Sequence, residues 1–243
     1  MFYEKRIRSV PFFRFSELEE ISGLVHAFTS RQTDQTCGLE SVERQAVDKT
    51  PFLDLLGLSS ARTIQLRQIH SNHVLRRASP DINHPEGDGL VLTRPGLFGV
   101  IKTADCLPIL VIDPLRRQLV AVHAGWRGIL GGVIESAMDL LSDITGGPFR
   151  AVIGPCINAC CYAFGVDDLE RVVDHLGDGA GGKTRTGHPS LDLPAAVRAT
   201  LRGVGVVESE LDDTCTSCDD DYWSYRATGA KERHAMAAWL EPA

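Results

Sequence analysis

The chain has 243 residues, of which 43% are hydrophobic and 23% are charged, and its formal net charge is −7 at pH 7. This composition is typical of a globular protein and excludes intrinsic disorder and collagen-like order. No run of about 18 apolar residues is present, so no membrane-spanning helix is predicted, and the acidic balance argues against broad binding to nucleic acid or anionic membranes. Seven cysteines without a signal peptide at the N-terminus favour the cytoplasm and reduced thiols.

The predicted elements begin with a polar loop and the start of a helix near Ser41, both within residues 30–49, and continue with a turn over residues 83–89. Five apolar runs then predict buried strands, because they lack the alternation of a strand with one exposed face. These strands cover residues 89–93, 97–102, 107–112, 119–123 and 150–153. The predicted helices cover residues 126–144, 166–176, 193–204 and 229–240.

Glycines and one aspartate indicate where the predicted helices weaken or begin and where a loop lies. Gly131 and Gly132 weaken the first helix near its start, and Asp192 is the expected N-cap of the third. The glycine-rich residues 177–189 predict a long, mobile surface loop. Strands and helices mixed along one chain of this length predict a single domain over residues 1–243, of α/β or α+β class, with a mixed sheet.

Three short segments place a metal-binding or nucleophilic side chain at the edge of an apolar strand. They are residues 68–74 (QIHSNHV), 102–108 (KTADCLP) and 122–128 (VHAGWRG). Taken singly, such a His is more often a hydrogen-bonded structural residue, and such a Cys a small core residue. The spacings match no local zinc-finger rule, so the sequence alone does not show whether the three segments meet.

The third segment carries the most information. A strand ends at His123, two small residues follow, and a helix begins near Trp126 with Arg127 beside its free N–H groups. This arrangement is suited to binding an anion. The alternative is an ordinary strand-to-helix turn in which Arg127 forms a surface ion pair.

Together, these segments resemble the YfiH-like laccase-domain family, whose members are described as polyphenol oxidases and as zinc-dependent purine nucleoside phosphorylases. The resemblance covers most of the chain and includes several further motifs. These are residues 88–91 (DGLV), 154–157 (GPCI), 161–162 (CY), 191–193 (LDL) and 223–226 (WSYR). The resemblance implies a four-layer αββα sandwich with mixed sheets, related to cysteine–histidine hydrolases of the cytotoxic necrotizing factor and CheD type.

The resemblance also implies a metal centre at His70, Cys106 and His123, with zinc as the metal and copper as an alternative. Two imidazoles and one thiolate leave a fourth tetrahedral position open, which is typical of a catalytic rather than a structural zinc site. The same three residues are then the catalytic group, together with Asp105, which would orient a ligand or accept a proton.

The activity implied is phosphorolysis of purine nucleosides (adenosine, inosine, guanosine and methylthioadenosine), with adenosine deamination in addition. The expected partners are therefore a small nucleoside and phosphate, with no nucleic acid and no membrane, and the protein is expected to be a monomer. The sequence departs from the family at residues 32–35 and at Ala227, where one basic residue is lost. The residues assigned to substrate or phosphate are Arg31, Asn72, Arg127 and Arg226.

Three alternative functions remain. Cys106 could be a nucleophile with His123 as its base, in an amidohydrolase that edits a cell-wall precursor. Weak copper-dependent polyphenol oxidation is a second alternative, although the chain has no His-x-His motif of the kind that a multicopper cluster needs. A binding module with a structural metal is the third.

The other cysteines form two groups, Cys156, Cys160 and Cys161 in one and Cys215 and Cys218 in the other. They could supply a structural zinc site or a redox couple. We expect packing or occasional disulfide formation instead, because the family has cysteines near both places outside its zinc ligands. Cys37 lies in a predicted polar loop.

Overall fold

The elements are taken from a computed structural model that describes residues 1–7, 10–33, 62–80, 83–142, 148–206 and 208–242. The helix predicted near Ser41, Cys37 and the end of the helix predicted over residues 126–144 lie outside these ranges. The strands are β1 (Phe2–Ile7), β2 (Val10–Phe15), β3 (Leu24–Phe28), β4 (Thr63–Gln65), β5 (Val74–Arg77), β6 (Gly89–Leu92), β7 (Phe98–Thr103), β8 (Leu107–Asp113), β9 (Gln118–Ala124), β10 (Arg150–Ile153), β11 (Gly181–Lys183), β12 (Pro189–Leu191), β13 (Glu208–Leu211) and β14 (His234–Leu240). The helices are α1 (Ser16–Glu19), α2 (Trp126–Leu130), α3 (Val133–Ser142), α4 (Val166–Leu176), α5 (Leu193–Gly203) and α6 (Tyr225–Thr228).

Most strands belong to two mixed six-stranded sheets. The first sheet has the order β1-β2-β3-β14-β7-β4, and the second has the order β13-β10-β8-β9-β6-β5. In the second sheet β8 and β9 are antiparallel, with Pro108 opposite His123 and Leu107 opposite Ala124. The start of β8 and the end of β9 therefore lie side by side at one edge of this sheet.

Apolar side chains on both faces of the second sheet hold these layers together. Between the sheets, Phe28, Ile101 and Met236 of the first sheet pack with residues such as Leu110 of the second. The other face of the second sheet packs against helices, as in the contact group that contains Val120, Val133, Met138 and Leu201. Helices, sheet and sheet therefore form successive layers, and the predicted α/β class with mixed sheets is confirmed.

The prediction of a helix over residues 229–240 is wrong, because residues 234–240 form strand β14. All seven residues of β14 are buried, and the strand pairs antiparallel with β3 on one side and β7 on the other. Its three alanines favour a helix when considered alone. Their preference is overridden because a central strand with both faces covered needs small and apolar residues on each side.

Two further predictions need correction. Residues 177–189 do not form one long loop: a short 3₁₀ helix (Asp178–Ala180) leads into a hairpin of β11 and β12, and Ala180 is buried. The predicted helix over residues 126–144 is divided into α2 and α3 by Gly131 and Gly132. Gly132 has a φ of +84°, a left-handed conformation that ends the first helix.

The remaining predictions agree with the structure. The five apolar runs match β6 to β10 to within one residue at each end. The Asp192 side chain accepts a hydrogen bond from the Ala195 N–H group at 2.9 Å, and so caps α5 as expected. None of the described helices combines the length and apolarity that crossing a bilayer requires.

Candidate metal centre

Three side chains from distant parts of the chain converge at the edge where β8 and β9 lie together. The ligand atoms of His70, Cys106 and His123 all lie within 4.8 Å of one another, and Cys106 Sγ lies 3.9 Å from His70 Nε2. For comparison, a tetrahedral zinc bound to one sulfur and one nitrogen would place them about 3.6 Å apart. The three predicted ligands are thus brought together.

Different elements deliver the three residues. His123 is near the end of β9, and Cys106 immediately precedes β8, so strand pairing fixes the distance between them. His70 comes from the connection between β4 and β5 and has a φ of +59°. Asp105, beside Cys106, has a φ of +91°. Two non-glycine residues in the left-handed region show that the surrounding contacts hold these connections in place.

The buried carboxylate of Asp88 organises the centre, although no motif or spacing in the sequence indicates a role for it there. Its Oδ1 lies 2.8 Å from His123 Nδ1 and accepts the His70 N–H group at 3.0 Å. Its Oδ2 accepts the N–H groups of Ile69 and Ser71 and the Ser71 hydroxyl. Asp88 thereby ties the His70 connection to His123 and leaves the Nε2 atom of His123 to face the centre.

Cys106, His123 and Asp88 stabilise one another's charged forms in the metal-free protein. Burial acts to raise the pKa of Cys106, but the charge and hydrogen bond of His123 outweigh it and lower this pKa to about 6. Burial acts to lower the pKa of His123, but the charges of Cys106 and Asp88 raise it to about 9. The pKa of Asp88 falls to about 2, because the hydrogen bonds from His123 and Ser71 outweigh its burial. At neutral pH the pair is therefore a thiolate and an imidazolium.

Gly125 leaves the space that the centre occupies. A Cβ atom at this position would lie 2.9 Å from His70 Cδ2 and 3.2 Å from Cys106 Sγ. Any side chain here would push against two of the three converging residues. A glycine between the end of β9 and the start of α2 is therefore required by close approach rather than by its backbone angles, since its φ is −80°.

The donor set fits the metal that the resemblance implied. Zinc accepts imidazole nitrogen and thiolate sulfur in tetrahedral geometry, and copper binds the same ligand types. The carboxylate behind His123 is the partner that metal-binding histidines ordinarily have. His70, Cys106 and His123 are thus the residues that would hold the ion.

Three aromatic rings and two guanidinium groups form an adjoining wall. Trp126 packs edge-on against Phe164 with 5.2 Å between centroids, and Phe164 packs similarly against Tyr162 at 5.4 Å. Arg127 lies over the Trp126 ring, and Arg226 lies over the Tyr162 ring. Because α2 is only five residues long, cationic character at its start comes from Arg127 more than from the helix dipole.

The wall lies close to the metal centre. Burial raises the pKa of Tyr162 well above its usual range, and the nearby charge of Cys106 raises it further, while Arg226 lowers it. Arg127 also lowers this pKa. The hydroxyl of Tyr162 thus lies within electrostatic reach of the thiolate and of both arginines, and it stays protonated at neutral pH.

Asp105 is bound by the chain segment that carries Arg226. Its Oδ1 accepts the Thr216 hydroxyl at 2.8 Å and its Oδ2 accepts the Arg226 N–H group at 2.7 Å. The Arg226 side chain in turn donates to the carbonyl oxygen of Ala163 at 2.7 Å. Asp105 thus joins the Thr216 hydroxyl and the backbone at Arg226 beside Cys106.

Asn72 and Arg31 do not belong to the group formed by His70, Cys106 and His123, and each has other partners. The Asn72 amide donates to the carbonyl oxygen of Gly131 at 2.8 Å, where it holds the break between α2 and α3. Arg31 lies over the Trp223 ring at 4.6 Å, and its N–H group donates to the Asp221 carbonyl oxygen.

The chain is similar in sequence and in fold to known proteins. The model of a family described as multi-copper polyphenol oxidoreductase laccase matches residues 40–241. A purine nucleoside phosphorylase of Streptomyces coelicolor is 32% identical over 190 residues, which cover 76% of this chain and 78% of that protein. Another purine nucleoside phosphorylase, from Deinococcus radiodurans, is 32% identical over 213 residues, or 83% of each chain.

Solved structures show the same architecture. The hypothetical protein YfiH of Bacillus licheniformis is 24% identical and superposes with a TM-score of 0.80, covering 98% of each chain. A protein of Neisseria meningitidis is 27% identical with a TM-score of 0.77, and the match covers 91% of this chain and 96% of that one.

Proposed function

The chain belongs to the multi-copper polyphenol oxidoreductase laccase family, and from this premise we propose that it is a zinc-dependent purine nucleoside phosphorylase. The observation that carries the proposal is the convergence of His70, Cys106 and His123 beside a wall of aromatic rings and arginines. The proposed substrates are adenosine, inosine, guanosine and methylthioadenosine, with phosphate as the second substrate. Deamination of adenosine is proposed as an additional activity.

Phosphorolysis needs a place for an anion and a place for a flat base. Arg127 and Arg226 suit phosphate, because a guanidinium group can donate two parallel hydrogen bonds to it. The partly exposed rings of Trp126 and Phe164 suit a purine ring, which aromatic side chains bind by stacking or edge contact. The protonated Tyr162 hydroxyl can donate a hydrogen bond to the substrate. Arg31 and Asn72 are also proposed as residues that bind substrate or phosphate.

The remaining residues hold the reactive geometry. When bound, zinc would supply a Lewis acid at the three ligands. Asp88 keeps the His123 ring oriented, and Asp105 fixes the backbone at Arg226 relative to Cys106. Gly125 keeps the approach to Cys106 free of a side chain.

The test is a phosphate-dependent assay on zinc-loaded protein, with metal quantified in the same sample. Inosine and adenosine should release hypoxanthine and adenine only when phosphate is present, with ribose 1-phosphate as the other product. His123→Ala should lose the metal and the activity together. Base release without phosphate, or a His70→Ala variant as active as the wild type, would contradict the proposal.

A second function is supported by the alignment of Cys106, His123 and Asp88, which are the parts of a cysteine-hydrolase triad. In this amidohydrolase the Cys106 thiolate would attack a carbonyl carbon, His123 would protonate the departing amine, and water would then release the acyl group. Chelator-treated protein separates the two proposals. Loss of phosphorolysis supports the first, whereas amide cleavage that persists without metal supports the second.

A further inference from the structure

Four cysteine sulfurs converge at a place distinct from the metal centre. The Sγ atoms of Cys160, Cys161, Cys215 and Cys218 all lie within 4.8 Å of one another. We propose that these four residues form a second metal site, a structural zinc tetrathiolate, and we call them the sulfur cluster. The proposal does not depend on the activity proposed above.

The distances within the sulfur cluster suit a tetrahedral ion. With zinc–sulfur bonds of about 2.3 Å, the edges of a sulfur tetrahedron measure about 3.8 Å. Cys160 Sγ lies 3.8 Å from Cys161 Sγ and 3.6 Å from Cys218 Sγ. The Cys161 and Cys218 sulfurs are closer, at 3.1 Å. A shift of well under 1 Å at Cys161 would lengthen its distance to Cys218 Sγ to the tetrahedral value, and the other two measured edges already lie close to that value.

Two backbone turns present the ligands independently of any metal. In the first turn, the N–H groups of Cys161 and Tyr162 both donate to the carbonyl oxygen of Asn158. In the second turn, the N–H groups of Cys218 and Asp219 both donate to the carbonyl oxygen of Cys215. The ligand geometry is therefore largely formed before an ion binds, which reduces the entropy lost on binding.

Further bonds join the two turns. The Thr216 N–H group donates to the Cys156 carbonyl oxygen at 2.9 Å, and the Asn158 amide donates to the Asp213 carbonyl oxygen at 2.6 Å. The Asn158 N–H group also lies 3.4 Å from Cys215 Sγ, as a donor. N–H donors to sulfur stabilise thiolate ligands, which a tetrathiolate site needs because four thiolates exceed the charge of one divalent ion by two.

Packing alone does not account for the sulfur cluster, although Cys215 is buried in the same apolar core as Cys156. Cys156 has no exposed surface and lies in the apolar core, as a cysteine that serves packing does. In contrast, Cys218 is exposed and Cys160 and Cys161 are partly exposed. A single disulfide between Cys161 and Cys218 would use two of the four sulfurs and leave Cys160 and Cys215 without a partner. A tetrahedral thiophilic ion uses all four, and its binding releases the thiol protons to solvent.

An ion bound by the sulfur cluster would connect two chain segments that lie beside the metal centre. The second turn includes Thr216, whose hydroxyl binds Asp105, the neighbour of Cys106. The first turn is followed directly by Tyr162 of the aromatic wall. An ion in the sulfur cluster would therefore hold in place two segments that border the metal centre, and its loss is expected to destabilise the fold without emptying the other site.

Metal stoichiometry tests the proposal. Protein loaded with zinc under reducing conditions and freed of excess ion should contain two equivalents per chain. Cys218→Ser and Cys160→Ser should each contain one, and His123→Ala should also contain one, lost from the other site. Cys156→Ala, which removes a neighbouring sulfur outside the cluster, should keep two. A single equivalent in wild type that Cys218→Ser retains would overturn the proposal.

Cobalt provides a readout that survives if a serine variant fails to fold. Cobalt-loaded His123→Ala should show thiolate-to-cobalt charge-transfer bands with the intensity of four sulfur ligands. Adding Cys218→His, which keeps a ligand, should retain the ion but reduce those bands by about one quarter, in proportion to the sulfur lost. A Cys161–Cys218 disulfide that persists under reducing conditions and blocks cobalt uptake would show that two of the four sulfurs serve a disulfide, and it would overturn the proposal.

Discussion

Asp88 and His123 are joined twice. The side-chain atoms Oδ1 and Nδ1 lie 2.8 Å apart, and the His123 N–H group donates to the Asp88 carbonyl oxygen at 2.7 Å. The side-chain bond depends on a charge, whereas the backbone bond does not. Substitutions at Asp88 can therefore remove the charge behind the imidazole while the pairing of β6 with β9 persists.

Asp88→Asn should weaken metal binding by about 10- to 100-fold, because the carboxylate orients His123 and increases its basicity. Competition against a chelator of known affinity measures the change. Asp113→Asn is the matched control, since Asp113 is equally buried and accepts two backbone N–H groups far along β8. It should lower stability and leave metal affinity unchanged. Equal metal affinities in Asp88→Asn and wild type would remove Asp88 from the site.

Gly125→Ala should reduce metal content strongly while the protein remains folded, because the added Cβ would meet both His70 and Cys106. Gly165→Ala is a close control. Gly165 also precedes a helix with extended backbone angles, and a Cβ there meets nothing within 4 Å. Circular dichroism and metal analysis of the two variants should give similar spectra and different metal contents. Full metal occupancy in Gly125→Ala would show that the metal centre can accommodate a Cβ atom at position 125.

Cys106 in metal-free protein should react with iodoacetamide with a midpoint near pH 6, well below that of an ordinary thiol, because His123 stabilises the thiolate. As pH rises through this value the thiolate fraction increases and the labelling rate rises with it. Peptide mapping by mass spectrometry separates Cys106 from the other cysteines. His123→Ala should move the midpoint upward, and zinc should protect the residue. A midpoint near pH 8.5 in the wild type would refute the proposed ion pair.

Acid should destabilise the protein through His26. Burial lowers the pKa of His26 to about 3, and its Nε2 accepts the Phe15 N–H group at 2.8 Å. The unfolded state binds a proton near pH 6.5 and the folded state does not. The stability that neutral His26 contributes is therefore complete above pH 6.5 and falls by about 1.4 kcal/mol for each pH unit toward pH 3.

Denaturant unfolding at several pH values measures this slope. His26→Gln, which keeps an acceptor for the Phe15 N–H group, should make the slope shallower between pH 6 and pH 4, a window taken from the His26 pKa of about 3 and its ordinary value. His188→Gln, at an exposed position, should leave the slope unchanged. An unaltered slope in His26→Gln would show that other groups dominate acid unfolding.

Arg127→Ala should raise the KM for phosphate by about 10- to 100-fold, as expected when a charge-assisted hydrogen bond to an anion is lost. The kcat for saturating phosphate should change less. Arg171→Ala, on the exposed surface of α4, should leave the KM unchanged. If both variants behave alike, Arg127 does not bind phosphate.

Strands β6 to β10 were predictable from the sequence, because each is a short apolar run that is typical of a buried strand. Strand β14 was not predictable, because residues 234–240 are as apolar as a buried helix. They form a strand because β3 and β7 each have an edge whose backbone groups β14 pairs with. Such edges exist in the folded sheet and leave no trace in the local sequence.

The metal-binding residues of the candidate site could be predicted because their chemistry is distinctive. A residue that acts only through its contacts in the fold could not. The convergence of His70, Cys106 and His123 was implied by resemblance and is seen in the structure. Asp88 received no role, although one signal was present: an acidic residue directly before the apolar strand β6. Its function lies in bonds to residues 69–71 and 123, which no spacing rule relates to position 88.

The connection from β4 to β5 and the connection from β7 to β8 both pass from the first sheet to the second, and they carry His70 and Cys106 respectively. Pairing of β8 with β9 inside the second sheet sets Cys106 beside His123, whereas His70 arrives on the other connection. An ion held by all three residues would therefore cross-link both inter-sheet connections to the end of β9, so its removal should loosen the junction between the sheets at two points together.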